Sequence, residues 1–202
     1  MAAEIVTMIK DVSLSIAALT LAGVAIVGLK SWRKENNGKA EFEAAKSLIK
    51  AVYSLREELN YCRAPFVTVE ELPSEFASHR NPSAKEEAEA WMHVFKQRWI
   101  PVYEAIKEFD ACTLEAEALW GENISELTQA LRKCVTEVNI AMDTFISDKA
   151  SGGKDFTTDP ELGKEITMKV MNQNAKQNVM TKRIYRCIEN LEDYLQPFLN
   201  RR

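Results

Sequence analysis

An uncharged apolar run near the N-terminus restricts the fold of this chain more than any other feature of its sequence. Residues 12–29 read VSLSIAALTLAGVAIVGL, which is 18 residues without a charged side chain. In a helix, a run of this length rises about 27 Å, close to the roughly 30 Å hydrocarbon thickness of a bilayer. The run therefore predicts an N-terminal single transmembrane helix.

Two other interpretations of residues 12–29 stay open. A helix buried in a soluble domain is usually shorter and has a polar stripe, whereas the only polar side chains in this run are Ser and Thr. A cleaved signal peptide has an early basic region, a shorter apolar segment and a small-residue cleavage site. Here the cations mainly follow the run and no such site follows it. The sequence therefore favours a retained span.

Basic side chains lie directly after the apolar run and predict its orientation. Before the run, Lys10 is offset by two acidic side chains, Glu4 and Asp11. Because basic residues stay on the cytoplasmic side, we expect the N-terminus outside and the C-terminal domain in the cytoplasm, anchored to the cytoplasmic (inner) membrane. The predicted juxtamembrane anchors are Lys30, Trp32, Arg33 and Lys34.

The span divides the chain into four predicted segments. Residues 1–11 form a short extracytoplasmic N-terminus, and residues 12–29 form the transmembrane helix. Residues 30–38 form a basic and polar juxtamembrane linker, and we expect its last residues, 35–38, to break the helix. Residues 39–202 form a cytoplasmic helical bundle domain that is long enough to bury its own core.

Small side chains share one face of the predicted span. Ala18 and Ala22 form a small-xxx-small pair, the spacing that lets two membrane helices approach closely. The face either packs against a second copy of the chain or is incidental, since alanine is common in any membrane helix. Its members are Ser15, Ala18, Ala22 and Ala25.

Apolar side chains recur every three or four residues along most of the remaining chain, which predicts helices. Four such patterns cover about residues 39–62, 83–120, 123–146 and 159–200. They are separated by an irregular segment, a tight break at Gly121 and a polar, flexible linker at 147–159. The predicted fold class is all-α, with one transmembrane helix followed by a cytoplasmic helical bundle of about four long helices.

The third helical pattern is the most regular, because its apolar side chains alternate steps of three and four residues. Such a heptad seam is typical of helices that pack along their length, as in a coiled coil. The pattern does not decide between packing inside one chain and packing between chains. The seam residues are Ile124, Leu127, Leu131, Cys134, Val138, Ala141 and Phe145.

Two stretches of the domain are ambiguous. Residues 63–82 contain Pro65 and Pro73 and have no helical period. A segment of this length either covers the bundle or binds a partner. Residues 172–178, NQNAKQN, interrupt the fourth apolar stripe. Their amides either face water or form a buried hydrogen-bonded layer.

Charge and cysteine content narrow the partners and the compartment. Beyond residue 34 the chain has 22 basic and 28 acidic side chains, a net charge of −6. This balance makes nucleic acid unlikely as the main partner. The cysteines form no C-x-x-C pair and lie at or near apolar positions, which predicts free thiols in a reducing compartment. They are Cys62, Cys112, Cys134 and Cys187.

The sequence contains no recognisable constellation for catalysis, metal binding or cofactor binding. There are only two histidines, and there is no Glu-x-x-His, phosphate-loop, dinucleotide-binding or H-E-x-x-H motif. Glu89 and His93 lie one helical turn apart, but two ligands make a weak metal site. We therefore predict no catalytic, cofactor-binding or metal-ligating residues and no enzymatic activity.

These observations favour a single-pass, membrane-anchored interaction module that acts as a scaffold, sensor or effector. Its expected partners are the lipid bilayer, a protein that the sequence does not identify, and a second copy of the chain. One alternative is a membrane-active effector whose span oligomerises and perturbs the bilayer. The other is a tethered enzyme or metal-binding bundle assembled from dispersed residues.

Overall fold

The structure, a computed structural model, describes the backbone of residues 2–74, 76 and 82–200. It describes the side chains of the same residues except 2–19, 22, 23 and 25–27. Every regular element in this part of the chain is helical, which confirms the all-α class. The helices are α1 (Ala2–Cys62), α2 (Ala84–Trp120), α3 (Glu122–Ala150), α4 (Lys154–Thr158), α5 (Pro160–Val170) and α6 (Val179–Leu199).

The first helix is much longer than the sequence predicts. α1 runs without interruption through 61 residues, about 90 Å at 1.5 Å per residue. Residues 35–38, where we expected the helix to break, are helical. The Lys39 Nζ lies 2.8 Å from the Glu35 Oε1 one turn earlier, an i,i+4 pair that supports helix across this stretch. Polar composition alone therefore does not end α1.

The predicted span, residues 12–29, lies within α1, but most of its side chains fall outside the described set. Across all the side chains that are described, no helix has a stretch both long and apolar enough to cross a membrane. The predicted packing face lies outside this set as well. It comprises Ser15, Ala18, Ala22 and Ala25.

The second half of α1 packs with α2, α3 and α6 around one core. α1 contacts α2 and α6, and α3 contacts the same two helices, so the four form a closed ring. Among the described residues of α1, the first buried one is Ala44, and those from 20 to 40 are exposed apart from half-buried Gly38. The helical bundle is therefore confirmed, with four long helices supplemented by α4 and α5.

The heptad seam of α3 faces the core of the same chain. Six of its seven side chains are buried, and the seventh, Leu127, is half-buried against the core. Phe145, at the end of the seam, packs edge-on against Trp91 and Phe95 of α2, with ring centroids 5.2 Å and 5.9 Å away. The seam thus joins α3 to its neighbours within one molecule.

The last predicted helix is in fact two helices separated by a loop. α5 starts as the sequence indicates, with the Asp159 side chain accepting a hydrogen bond from the backbone N–H of Leu162 at 3.0 Å. It ends at Val170, and residues 171–178, here called the amide loop, precede α6. The prediction of one continuous helix was wrong because Asn178 is an N-cap: its Oδ1 accepts the N–H of Thr181 at 2.9 Å.

The polar stretch at 147–159 is more ordered than its composition suggests. α3 continues to Ala150, and α4 follows after a turn. That turn requires Gly152 and Gly153, which have φ of +76° and +78°, a region that favours glycine. The side chain of Asp148 accepts a hydrogen bond from the backbone N–H of Phe156 at 2.9 Å. This contact fixes α4 against the end of α3.

Candidate functional site: a loop held by buried arginines

α1 ends at Cys62, and residues 63–72 form a surface segment that we call the Arg98 loop. This is the first part of the stretch for which the sequence left cover and binding open. It contains a single 3₁₀ turn, Val69–Glu71, and is otherwise irregular. Because an irregular backbone has few internal hydrogen bonds, its carbonyl groups need partners from elsewhere.

Arg98 of α2 supplies those partners from inside the bundle. Its side chain is only 3% exposed. The Nη1 donates to the carbonyl of Ala64 at 2.6 Å, and the Nη2 donates to the carbonyl of Phe66 at 2.6 Å. The Nε and Nη2 also donate to the two carboxylate oxygens of Glu71, at 2.6 Å and 3.0 Å. One buried guanidinium therefore fixes both halves of the loop.

Glu71 links this arginine to the 3₁₀ turn. Besides pairing with Arg98, its Oε2 accepts the backbone N–H of Thr68 at 2.9 Å. The hydrogen bonds from Arg98 hold the pKa of the Glu71 carboxyl down at about 2, and the backbone bond from Thr68 acts in the same direction. Glu71 is therefore ionised at any physiological pH.

Large apolar side chains of the loop point into solvent. Phe66 is 84% exposed and Val69 is 71% exposed. Tyr61, at the end of α1, is also exposed, and its ring centroid lies 5.8 Å from the Arg98 Cζ. A buried charge beneath exposed apolar groups inverts the usual distribution, in which apolar side chains are inside. Exposed apolar groups mark protein interaction sites where they form a contiguous patch, whereas single exposed apolar residues are common.

A second buried arginine, Arg63, joins the end of α1 to the end of α5. Its side chain is 1% exposed. The Nε donates to the carbonyl of Lys169 at 2.7 Å, and the Nη2 donates to the carbonyl of Met168 at 2.8 Å. These are last-turn carbonyls of α5, where the helix dipole favours a cation. Burial lowers the pKa of Arg63 to about 10, so the guanidinium stays charged at neutral pH.

Arg63 and Asn178 together order the amide loop. The Asn178 Nδ2 donates to the carbonyls of Met168 and Met171 at 2.9 Å and 2.8 Å. The backbone N–H of Asn172 donates to the carbonyl of Arg63 at 2.8 Å. The first and last amides of the run are thus bonded into the structure, while residues 173–177 are exposed. The middle of the run therefore faces water, and its two ends are hydrogen-bonded to the bundle.

Comparisons with protein-family models, with curated proteins and with solved structures found no match to this chain. Its function therefore has to be argued from its own residues.

The predicted juxtamembrane anchors are exposed on the continuous helix α1. Lys30, Arg33 and Lys34 follow the i, i+3, i+4 spacing and share one face, while Trp32 lies on another. In the part of the chain that the structure describes, no three His, Cys, Asp or Glu side chains come together in a metal site. His79 lies outside that part.

Sequence reasoning missed both buried arginines. Arg98 lies three residues after Phe95 and four before Val102, two buried positions of α2, so its place on the apolar stripe was a usable signal. Arg63 directly follows the last helical position of α1, and nothing in its local sequence separates it from a solvated arginine. The guanidinium groups of both donate to protein oxygens, so what the loop presents to solvent is apolar.

Proposed function

We propose that this chain is a membrane-anchored interaction module that binds a partner protein through the Arg98 loop and has no catalytic activity of its own. The observation that carries the proposal is the 84% exposure of Phe66 on a loop whose backbone is bonded to a buried arginine. An exposed aromatic ring in a flexible loop would not present a defined binding surface. Here the loop is held in place, so its exposed face is constant in shape.

The energetics of the loop support this proposal. Taking a guanidinium out of water costs several kcal/mol, and the hydrogen bonds to carbonyl and carboxylate oxygens offset that cost. A loop ordered in this way loses little conformational entropy when a partner binds, which favours affinity. Aromatic side chains are enriched among the residues that dominate binding energy. Phe66 is the expected anchor, and Val69, which is also exposed on the loop, would add apolar contact.

The proposed membrane anchor is the apolar run at 12–29. We propose a single-pass topology in the cytoplasmic membrane, with the bundle in the cytoplasm. The basic residues that follow the run support this orientation. The helical course of residues 30–38 adds support, because it places Lys30, Arg33 and Lys34 on one face, where they can contact anionic headgroups together.

Site-specific crosslinking tests the binding surface. A photoreactive benzophenone side chain at position 66 should give a discrete adduct in intact cells. The matched control is the same side chain at position 140, because Ile140 is exposed on α3 but lies away from the loop. With the partner purified, Phe66→Ala should weaken binding at least about tenfold, whereas Ile140→Ala should not. Equal adducts at both positions, or none at position 66, would refute the proposed surface.

The anchor is tested separately, because the loop could bind a partner in a soluble protein. The chain should sediment with membranes and resist carbonate extraction. In a background without the native thiols, a Cys placed at position 36 should be protected from impermeant maleimide in intact cells and should react after lysis. Labelling before lysis would reverse the proposed orientation.

A further inference from the structure

We propose that Cys134 and Cys187 are a site of reversible oxidation, at which hydrogen peroxide forms a disulfide between α3 and α6. The two sulfur atoms lie 4.0 Å apart, so they are van der Waals neighbours. In a disulfide they would be about 2.05 Å apart, which requires an approach of about 2 Å. Rotation about the side-chain bonds of the two cysteines would supply part of this movement. A small shift of α3 and α6 towards each other would supply the remainder.

The thiol pair lies in a charged region of the bundle. Arg183, one turn before Cys187, forms a bidentate pair with Glu137, one turn after Cys134, at 2.8 Å and 2.6 Å. The pKa of Arg183 is raised, first by its hydrogen bond to Glu137 and also by the adjacent Cys134. This ion pair joins α3 and α6 beside the sulfurs and keeps them facing each other.

The two remaining cysteines differ from this pair. Cys62 is fully buried, and Cys112 is half-buried on α2. Among the described side chains, Cys134 and Cys187 are the single pair of sulfurs within 4.0 Å. Cys112 resembles Cys187 in exposure but has no such thiol neighbour, so it is the matched control.

The oxidation balances with hydrogen peroxide as the oxidant. The sulfur of half-buried Cys187, as its thiolate, attacks one peroxide oxygen and the O–O bond breaks. Hydroxide leaves and takes up the thiol proton as water, and Cys187 becomes a sulfenic acid. The sulfur of Cys134 then displaces the hydroxyl group, which leaves as a second water while the S–S bond forms. The two thiols lose two electrons and the peroxide gains two.

The surroundings determine the rate and the product. Burial, and then the neighbouring Cys134, raise the pKa of Cys187 to about 11. Thiolate is therefore scarce at neutral pH, so the first step is slow and requires sustained peroxide. Once the sulfenic acid forms, the thiol 4.0 Å away captures it. We therefore expect a disulfide rather than the irreversible sulfinic acid.

The disulfide would enclose the part of the chain between α3 and α6. That part contains the end of α3, then α4, α5 and the amide loop with its contacts to Arg63. Oxidation would thereby fix the segment that closes over the end of α1. In the reduced state the same segment is held by hydrogen bonds and packing alone.

Peptide mapping of the full chain in detergent micelles tests the site. The protein is exposed to excess hydrogen peroxide, quenched with catalase, denatured and alkylated. We expect the alkylatable thiols to fall from four to two, with a linked peptide that contains Cys134 and Cys187. Dithiothreitol should restore all four. Cys112→Ser should form the same link, while Cys134→Ser should leave Cys187 to oxidise irreversibly.

Three results would overturn the proposal. All four thiols could stay alkylatable after long exposure. Cys187 could proceed to sulfinic acid in the unaltered chain, without a link. Linked peptides could also contain Cys62 or Cys112 as often as the proposed pair. Because the main measurement uses the unaltered chain, it does not depend on whether any variant folds.

Discussion

Arg63 and Arg98 are both buried, but the oxygens that surround them differ. Arg98 binds a carboxylate, Glu71, in addition to loop carbonyls. Arg63 binds the carbonyls of Lys169 and Met168 and reaches the Oγ1 of Thr181 at 3.2 Å. The Arg98 loop therefore depends on a group that titrates in acid, whereas the end of α5 depends on groups that do not titrate. The contribution of the Glu71–Arg98 pair to stability should therefore fall in acid, whereas that of Arg63 should not.

Acid should weaken the Arg98 loop through Glu71. The folded-state pKa of about 2 lies below the ordinary value of 4.5. The carboxylate therefore stabilises the fold fully above pH 4.5, and this contribution is lost as the pH falls towards 2. Glu71→Gln should lower the urea midpoint at pH 7. The difference in urea midpoint between this variant and the unaltered chain should become smaller as the pH falls from 4.5 to 2. Glu70→Gln, at the exposed neighbour, should leave the midpoint at pH 7 nearly unchanged.

Replacement of Arg63 should destabilise the domain strongly at neutral and acidic pH, where the guanidinium is charged. Arg63→Met keeps most of the apolar stem but leaves the carbonyls of Met168 and Lys169 without their donors. We expect a loss of about 2–6 kcal/mol in the free energy of unfolding, because each of the two buried carbonyls left without a donor costs about 1–3 kcal/mol. Lys50→Met, at an exposed position of the same helix, should change it by less than about 0.5 kcal/mol. Urea denaturation followed by circular dichroism measures both; equal losses would mean that Arg63 is not held as described.

At the scale of the elements, periodicity predicted helices well and their ends less well. The apolar periodicity of α2 and α3 predicted both helices because each helix buries one face against its neighbours. A capping box accounts for the start of α2: the Ser83 side chain accepts the backbone N–H of Glu86, and the Glu86 side chain accepts the backbone N–H of Ser83. Residues 35–38 were predicted to break a helix but are helical, whereas residues 172–178 were predicted to lie inside one helix but form a loop. Polarity alone does not show whether the backbone stays helical or an amide side chain caps a helix.

The candidate site was only partly predictable. Loss of helical period located residues 63–82, and the prolines explained why the helix ends there. The arginine that organises the loop comes from α2, 27 residues beyond Glu71 in sequence, and only tertiary structure brings the two together. Likewise, each of the two cysteines of the proposed oxidation site was predicted as a free thiol, but their proximity depends on how α3 packs on α6.

The continuity of α1 can be measured directly. Spin labels carried by non-natural amino acids at positions 30 and 50 should lie about 30 Å apart along the helix axis, since each residue rises 1.5 Å. Because the helix is unbroken, the distance distribution should be narrow. Asn36→Pro should broaden it, because proline removes a hydrogen bond and kinks the helix. A broad distribution in the unaltered chain would favour the break that composition suggested.

At the scale of the whole molecule, self-association through the span is the remaining proposal about partners. Replacing both Ala18 and Ala22 with Leu keeps the run hydrophobic, so insertion should survive, but it prevents close approach of two helices. Crosslinking in native membranes should therefore fall for this double variant. Ala17→Leu, on another face of the helix, is the control and should crosslink like the unaltered chain. Equal crosslinking of all three would make the small face incidental.

The unbroken course of α1 has a geometric consequence for the orientation of the bundle. Each residue of an α-helix adds about 100° of rotation and 1.5 Å of height. One residue inserted between positions 30 and 40 would rotate the bundle by about 100° about the axis of α1 relative to residues 12–29, and Phe66 would rotate with it. Seven inserted residues would return the bundle to within about 20° of its original orientation about the helix axis and move it about 10 Å along that axis. In the proposed membrane-anchored arrangement, the length of α1 between the bilayer and the bundle therefore sets the direction in which Phe66 faces around the helix axis.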